Sequence, residues 1–289
     1  MSKSKLKKLT TMDYVIAVIL LVLGFVFLYP MYYTIIISFS DTFNITAGNV
    51  KFWPKGFNIA AYNQILSNNR VPTAYINTIL YTVVGVAMNL IMTALTAYPL
   101  SRKDFWGRSG FMKLITFTMF FSGGMIPTFL LVSKLGMLDT IWSLVLPNAI
   151  WTYQMLIVRA FYMAIPESMH ESATIDGASE FRIFLQIIVP LSKAAFATVG
   201  LFFFMGHWNN YIPPLIYLKN ASKYPLQIVL REMLVKGDNV NYNLAIPDNL
   251  TPESMKNATI VVSMIPVMIV YPFAQKYFVK GMMIGAVKG

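Results

Sequence analysis

The sequence predicts an all-α polytopic membrane protein with six transmembrane helices, and three observations carry that reading. Apolar residues make up 56% of the 289-residue chain and charged residues 12%, against about 45–50% and about 25% in soluble domains. The mean hydropathy is +0.58, and 19 Met, 21 Phe and 16 Tyr present more apolar surface than one globular core hides. Six stretches, residues 14–38, 74–100, 112–131, 140–163, 194–218 and 258–273, are long and apolar enough to cross a hydrocarbon core, which takes about 20 helical residues. The same figures exclude intrinsic disorder, collagen and a disulfide scaffold. Cysteine is absent, which removes disulfides, thiolate metal sites and cysteine nucleophiles. His170 and His207 are too few and too isolated for a histidine-based metal centre, so no metal site is expected.

The first span follows a basic segment carrying Lys3, Lys5, Lys7 and Lys8. Its apolar run is longer than the roughly 7–15 residues of a signal peptide and no small-residue cleavage site follows, so it reads as a retained helix. Within lipid the backbone must satisfy its own hydrogen bonds, which makes every span helical. Pro30, Pro99, Pro127, Pro147, Pro213, Pro214 and Pro266 lie inside these spans. Kinks are expected, above all at Gly123, Gly124 and Pro127 and at the Pro213–Pro214 pair. The net charge of +11 would suggest nucleic acid in a soluble chain, but here it sorts with topology. An even number of crossings places both termini on one side. With that side cytoplasmic, inner segments hold 14 Lys and Arg against 9 outside. The bias is strongest in the short segments, where Arg102, Lys103, Arg108 and Lys113 join the N-terminal lysines. The expected organisation is a cytoplasmic N-terminal segment, 1–13, then a membrane domain, 14–275, and a cytoplasmic C-terminal tail, 276–289. Two long outer loops, about 39–73 and 219–257, mix aromatics with Asn, Pro and Gly and read either as ordered lids for a partner or as plain connections.

The cytoplasmic segment 166–193 breaks the pattern, because a connection there need only be short. Pro166 and Glu167 suit the first turn of a helix, and Asp176-Gly177 a stop. Ser179 can cap a second helix with Glu180 in its first turn. Phe181, Phe184, Leu185 and Ile188 fall at i, i+3, i+4 and i+7, one apolar stripe, before Pro190 ends the helix. Ala173 and Gly177 lie one turn apart and allow another surface close to the backbone. On pattern alone, a helix pair lying on lipid fits as well as one presented to a partner.

The run Glu171-Ser172-Ala173-Thr174-Ile175-Asp176-Gly177, nine residues, then Ile187-Ile188-Val189-Pro190 resembles the EAA loop of ABC importer permeases. Its departures are Ser172 for alanine and Val189 for leucine. The extension through Ala178 and Ser179 to Phe184 and Pro190-Leu191, with Trp208-Asn209, Pro214-Leu215 and the tail from Phe278 to Gly289, is similar to carbohydrate permeases related to the smaller permease of the maltose importer. The resemblance implies a type I importer permease fold and transport of a sugar, with oligosaccharide favoured. Its implied partners are a second homologous permease (a heterodimer), two ATPase subunits, an extracytoplasmic solute-binding protein and the surrounding membrane lipid, with no nucleic acid. ATP and Mg would be bound by the ATPases and no cofactor by this chain. The loop would be a coupling helix seated in an ATPase cleft. Glu171, Ser172, Ala173, Asp176, Gly177, Ala178, Phe181, Phe184, Leu185 and Pro190 are its candidate residues. Glu171 would meet a basic partner, Ala173 and Gly177 would permit approach and bend, the aromatics would anchor and Pro190 would set the angle of the fifth span. Lys280, Gly281, Gly285 and Lys288 of the tail would also reach the ATPases.

Nothing in the spans suggests catalysis, so the chain is read as a transport subunit and not an enzyme. No P-loop Gly-x-x-x-x-Gly-Lys-Ser/Thr occurs, and Asp13 and Asp139 lie at span ends. An ion-coupled secondary carrier is the alternative, weakened by the lack of mid-span acids. Saccharide recognition needs hydroxyl partners and flat aromatic faces. Asn148, Trp151, Tyr153 and Gln154 of the fourth span and His207, Trp208, Asn209, Asn210 and Tyr211 of the fifth are the densest such groups, with Asn77 and Asn89 added from the second. They read equally as interhelical hydrogen bonds and interface aromatics.

Overall fold

The computed structural model describes residues 10–67, 70–235 and 250–286, and helices dominate them; no strand occurs among the described residues. In chain order the helices are α1 (Thr11–Ser38), α2 (Thr42–Thr46), α3 (Ala60–Ser67), α4 (Arg70–Ser101), α5 (Arg108–Phe120) and α6 (Met125–Lys134). There follow α7 (Trp142–Val145), α8 (Thr152–Ala164), α9 (Glu167–Ile175), α10 (Glu180–Ile183), α11 (Val189–Leu191) and α12 (Lys193–Trp208). The last three are α13 (Ile212–Tyr217), α14 (Leu226–Val235) and α15 (Pro252–Ala286). The described residues fall into two compact units, divided after residues 68, 232 and 264.

Three helices, Thr11–Ser38, Arg70–Ser101 and Pro252–Pro272, are long and apolar enough to cross a bilayer unbroken. The pair α5 and α6, bent by 115°, and Glu180–Leu191 with α12, bent by 77°, add two more candidates. The third expected span therefore breaks where glycines and proline predicted, at residues 121–124. The fourth, expected as helix over 140–163, departs further. It consists of α7, a 3-10 turn at Leu146–Asn148, non-helical chain that is extended at Trp151, and then α8. Pro147 sits in that turn; proline has no N–H and its ring opposes a continuous helix. The fifth span breaks after Trp208, ahead of Pro213 and Pro214 in α13. Pro30 and Pro99, by contrast, lie within unbroken helices.

In the first unit, the segment after α1 is folded back onto that helix. Asp41 caps α2 by accepting from the Asn44 N–H at 2.7 Å, and Ile36, Ile37, Ile45 and Val50 form a small core. Phe39 stacks on Phe57 and Tyr62, and the Ser38 and Tyr62 hydroxyls are 2.7 Å apart. This segment is therefore ordered by contacts of its own.

In the second unit, α4 is the spar. Its buried positions Val71, Ala74, Thr78, Thr82, Gly85, Asn89, Thr93, Ala97 and Leu100 recur every three or four residues, so they form one seam. Most are small, which lets neighbouring helix backbones approach closely where lipid supplies no hydrophobic drive; α8 and α12 pack along this seam. A Cβ on Gly85 would enter the His207 ring, and one on Gly206 would enter Trp151, so both glycines are contact points. Midway along the seam stands Asn89, fully buried. Its Nδ2 donates to the carbonyls of Asn148 at 2.6 Å and Ala149 at 2.9 Å, where the fourth span leaves helical geometry. Its Oδ1 lies 2.6 Å from Nε2 of His207. Because Nδ2 already faces two carbonyls, Oδ1 accepts and His207 donates through Nε2–H. One amide thus satisfies the polar groups exposed by the break.

At the end of the unit carrying the 3-10 turn Ala221–Lys223, Asp139 holds the α6–α7 connection to the stretch after α13. Asp139 adopts φ +59°, a left-handed conformation that aspartate tolerates better than most residues. It accepts from Nζ of Lys223 at 2.7 Å and from the N–H groups of Lys219 and Asn220. The Lys223 ammonium, aided by the Asn220 and Lys219 N–H groups, holds its carboxyl down at about 2.

Two outcomes are expected. Asn89→Leu strands two carbonyls and an imidazole N–H, each worth about 1–2 kcal/mol, and lowers the thermal midpoint of the purified protein; an unchanged midpoint would remove this role. Asp139 has a folded pKa below its unfolded value of about 3.9, so its stabilisation is complete above that pH and fades as pH falls towards 2. Asp139→Ala should lower the midpoint at pH 7, and the gap to wild type should close on acidification.

Candidate functional site

The segment 166–193 folds nearly as its sequence dictates. Helix α9 runs from Glu167 to Ile175, with Asp176 as its C-cap and Gly177 at φ +78°. Ser179 caps α10, its hydroxyl accepting from the Arg182 N–H at 3.4 Å. The stretch Phe184–Ile188 is then a π-helical turn, and Pro190 lies in α11 before the bend into α12.

That π turn corrects the expected apolar stripe. Phe184 and Ile188 are buried together with Ile183, whereas Phe181 is 65% and Leu185 47% exposed. A π turn closes its hydrogen bond one residue later than an α turn, so the 3.6-residue period slips and the face rotates. Ala173, Ile183, Phe184 and Ile188 pack with Ala97, Leu100 and Tyr162 into the core of this chain. The small side chain of Ala173 therefore serves packing within the chain. The outward set is Glu171, Ser172, Asp176, Gly177, Phe181, Leu185 and Pro190, with Ala178 half-buried. Ile175, beside them, is 85% exposed.

A polar chain at the end of α4 fastens both limbs of this element. The Arg102 guanidinium donates to Nδ1 of His170 at 3.2 Å. That leaves Nε2 to carry the proton and donate to Oε1 of Glu180 at 2.9 Å. The other carboxylate oxygen of Glu180 accepts from the Tyr98 hydroxyl at 2.7 Å. Desolvation pushes the Glu180 carboxyl up, but the hydrogen bonds from Tyr98 and His170 outweigh it and the net direction is down. Beside it, the Lys103 ammonium 2.9 Å from Glu167 holds that carboxyl below its usual range. Thus α9 is tied through His170 and Glu167, and α10 through Glu180, to the helix that forms the spar. The sequence reading missed Tyr98, Arg102, His170 and Glu180 as a group. The only local signal was a histidine and a glutamate ten residues apart on either side of a glycine bend.

The membrane-buried candidates separate into two sets. His207 and Trp208 are buried, and Trp151 packs at right angles on Phe203, its ring 6.0 Å from that of His207. Trp208 meets the edge of Tyr75. These three belong to helix packing, as does Asn89. Asn77 likewise donates to the carbonyls of Ser222 and Tyr224. Asn148, Tyr153 and Asn209 are exposed and Gln154 half-exposed. Asn209 accepts from Gln227 at 3.4 Å, and the neighbouring Tyr211 ring carries the Arg231 guanidinium 4.5 Å from its centre. No group of metal-ligating side chains occurs among the described residues. Lys280, Gly281 and Gly285 fall within the continuation of α15, so the expected tail begins as helix; Lys288 lies outside the described residues.

Residues 91–284 match the family described as the binding-protein-dependent transport system inner membrane component. The polygalacturonan/rhamnogalacturonan transport system permease protein YtcP of Bacillus subtilis is 38% identical, over 96% of this chain and 98% of its own length. Protein LplC of the same organism is 40% identical, over 92% and 91%. A crystal structure of a bacterial ABC transporter for import of the acidic polysaccharide alginate contains a chain of 35% identity and TM-score 0.89, covering 94% of this chain and 99% of that one. These relatives are transport subunits, not enzymes, and they displace the ion-coupled carrier reading. The chain belongs to the membrane permease family of binding-protein-dependent ABC importers.

Proposed function

We propose that this chain is one permease of an ATP-driven importer that receives an oligosaccharide from an extracytoplasmic solute-binding protein, and that segment 166–193 couples it to an ATPase subunit. The observation that carries the coupling reading is the two-sided build of that segment. One side is welded to α4 by the Arg102–His170–Glu180–Tyr98 chain and the Ala173–Phe184 packing. The other presents Glu171, Ile175, Asp176 and Phe181 outward. A push on the exposed side is delivered to the spar without loss in a flexible joint.

ATP and Mg belong, in this reading, to two separate ATPases, and the pathway is completed by a second homologous permease as a heterodimer. Charge asymmetry supports both termini on the cytoplasmic side. It also supports the division into an N-terminal segment 1–13, a membrane domain 14–275 with outer loops about 39–73 and 219–257, and a tail from 276 whose Lys280, Gly281, Gly285 and Lys288 approach the ATPases. The substrate pathway draws on Asn148, Tyr153, Gln154 and Asn209, the candidates not consumed by packing. Trp151, His207 and Trp208 shape it from behind. Two of the relatives serve uronate-rich polysaccharides, which favours an acidic oligosaccharide here. Arg231 against Tyr211 offers the cation and flat face that such a sugar needs.

Glu171→Lys and Gly177→Asp should leave the protein in the membrane but abolish uptake and ATPase capture; capture and uptake at the wild-type level would end the coupling reading. His170→Ala should lower uptake per ATP by about 5–150-fold, the span of a coupling free energy of about 1–3 kcal/mol, while ATPase capture persists. Arg231→Gln should reduce stimulation of ATP hydrolysis by oligogalacturonate-loaded binding protein and spare a neutral oligosaccharide; equal loss for both would remove the acidic-sugar assignment.

A further inference from the structure

Beside the coupling element lies a cavity of about 490 Å³ that shares Tyr98, Arg102 and His170 with it, whereas its Arg108, Tyr162 and Met163 have no part in the coupling role. Its walls include Tyr98, Arg102, Lys103, Arg108, Tyr162 and Met163. We propose that it binds the phosphate headgroup of an anionic phospholipid. The cations on its rim exceed the acids. Lys103 is neutralised by Glu167, but Arg108 has no ion pair among the described residues, and Arg102, which also donates to His170, meets a carboxylate only at a loose 3.5 Å from Asp104.

An independent observation points to a ligand with acceptor atoms. Tyr162 is 5% exposed, and its hydroxyl is a buried group with no hydrogen-bond partner among the described residues; Nε of Arg102 is buried without a hydrogen bond too, its nearest acceptor being the Asp104 carboxylate at 3.5 Å. Buried donors of this kind are nearly always satisfied. A phosphodiester supplies acceptors that meet both, together with the free Arg108 guanidinium.

The surroundings favour a lipid over an acidic side chain of a protein. The cavity opens among helix ends, and the adjoining surface is apolar and uncovered in this chain. Met163 is 50%, Phe111 50%, Leu114 63% and Trp106 88% exposed. Tryptophan at a span end marks the headgroup level, and basic pockets between helices on the cytoplasmic side suit anionic headgroups. Acyl chains of a lipid seated here would lie along α5.

The test uses the complete importer, purified in detergent and incubated with equimolar dioleoyl phosphatidylglycerol and dioleoyl phosphatidylcholine before native mass spectrometry. The wild type should retain phosphatidylglycerol in preference. Tyr162→Phe, which removes only the unpartnered hydroxyl, and Arg108→Gln should each weaken that retention by about ten-fold, one charge-assisted bond's worth, in importers that remain assembled. Inorganic phosphate should not displace the lipid. Retention equal for the two lipids, variants that hold phosphatidylglycerol as wild type does, or no lipid held by the assembled importer would overturn the assignment. Displacement by inorganic phosphate would overturn it in favour of a soluble anion. The readout is independent of uptake, so its failure leaves the coupling role untouched.

Discussion

The pairing of Asn89 with two backbone carbonyls is the constraint on which the second unit rests. A chain that crosses lipid must hydrogen-bond its own backbone, and a broken helix leaves groups that water cannot reach. The fourth span breaks at Pro147, and the freed carbonyls of Asn148 and Ala149 turn to Asn89. The break is thereby fixed in place, and His207 of α12 is drawn to the same point. Three segments far apart in sequence meet at one amide, and the small-residue seam of α4 lets them meet at short range.

The same helix carries the second junction. Arg102 and Tyr98 near its end bind His170 and Glu180, one on each limb of the bent segment 166–193. The spar therefore joins a polar joint within the spans to the bent segment 166–193, with Ala94, Ala97 and Leu100 packed between them. In a transporter driven from outside the bilayer, such continuity is what lets a movement at the surface alter the arrangement of spans. The π turn at Phe184–Ile188 contributes by rotating the outward face. It turns Phe184 into the chain's own core and leaves Phe181 and Leu185 exposed.

Much of this was legible in the sequence. The bend at Gly177, the Ser179 cap and the ends of α9 and α10 followed from local chemistry that acts over three or four residues. The breaks near Gly124 and Pro213 followed for the same reason. The break in the fourth span was harder to read, because Pro147 alone could equally have been a kink, as Pro30 and Pro99 show within intact helices. The partition of polar candidates into packing and pathway was not legible. Asn89 and Asn148 look alike as sequence, and only the fold shows that the side chain of one serves the backbone of the other. The four-residue chain through His170 was hidden because its members come from two places 68 residues apart.

The account depends on segment 166–193 moving as one body with α4. Spin labels at Ile175, on the exposed tip, and at Leu80, on the outward face of α4, allow that to be read in the complete importer by pulsed electron resonance. One narrow distance, unchanged between the nucleotide-free and ATP-bound states, is the predicted result. A distance that shifts or broadens when ATP binds would show a loose joint and contradict the account.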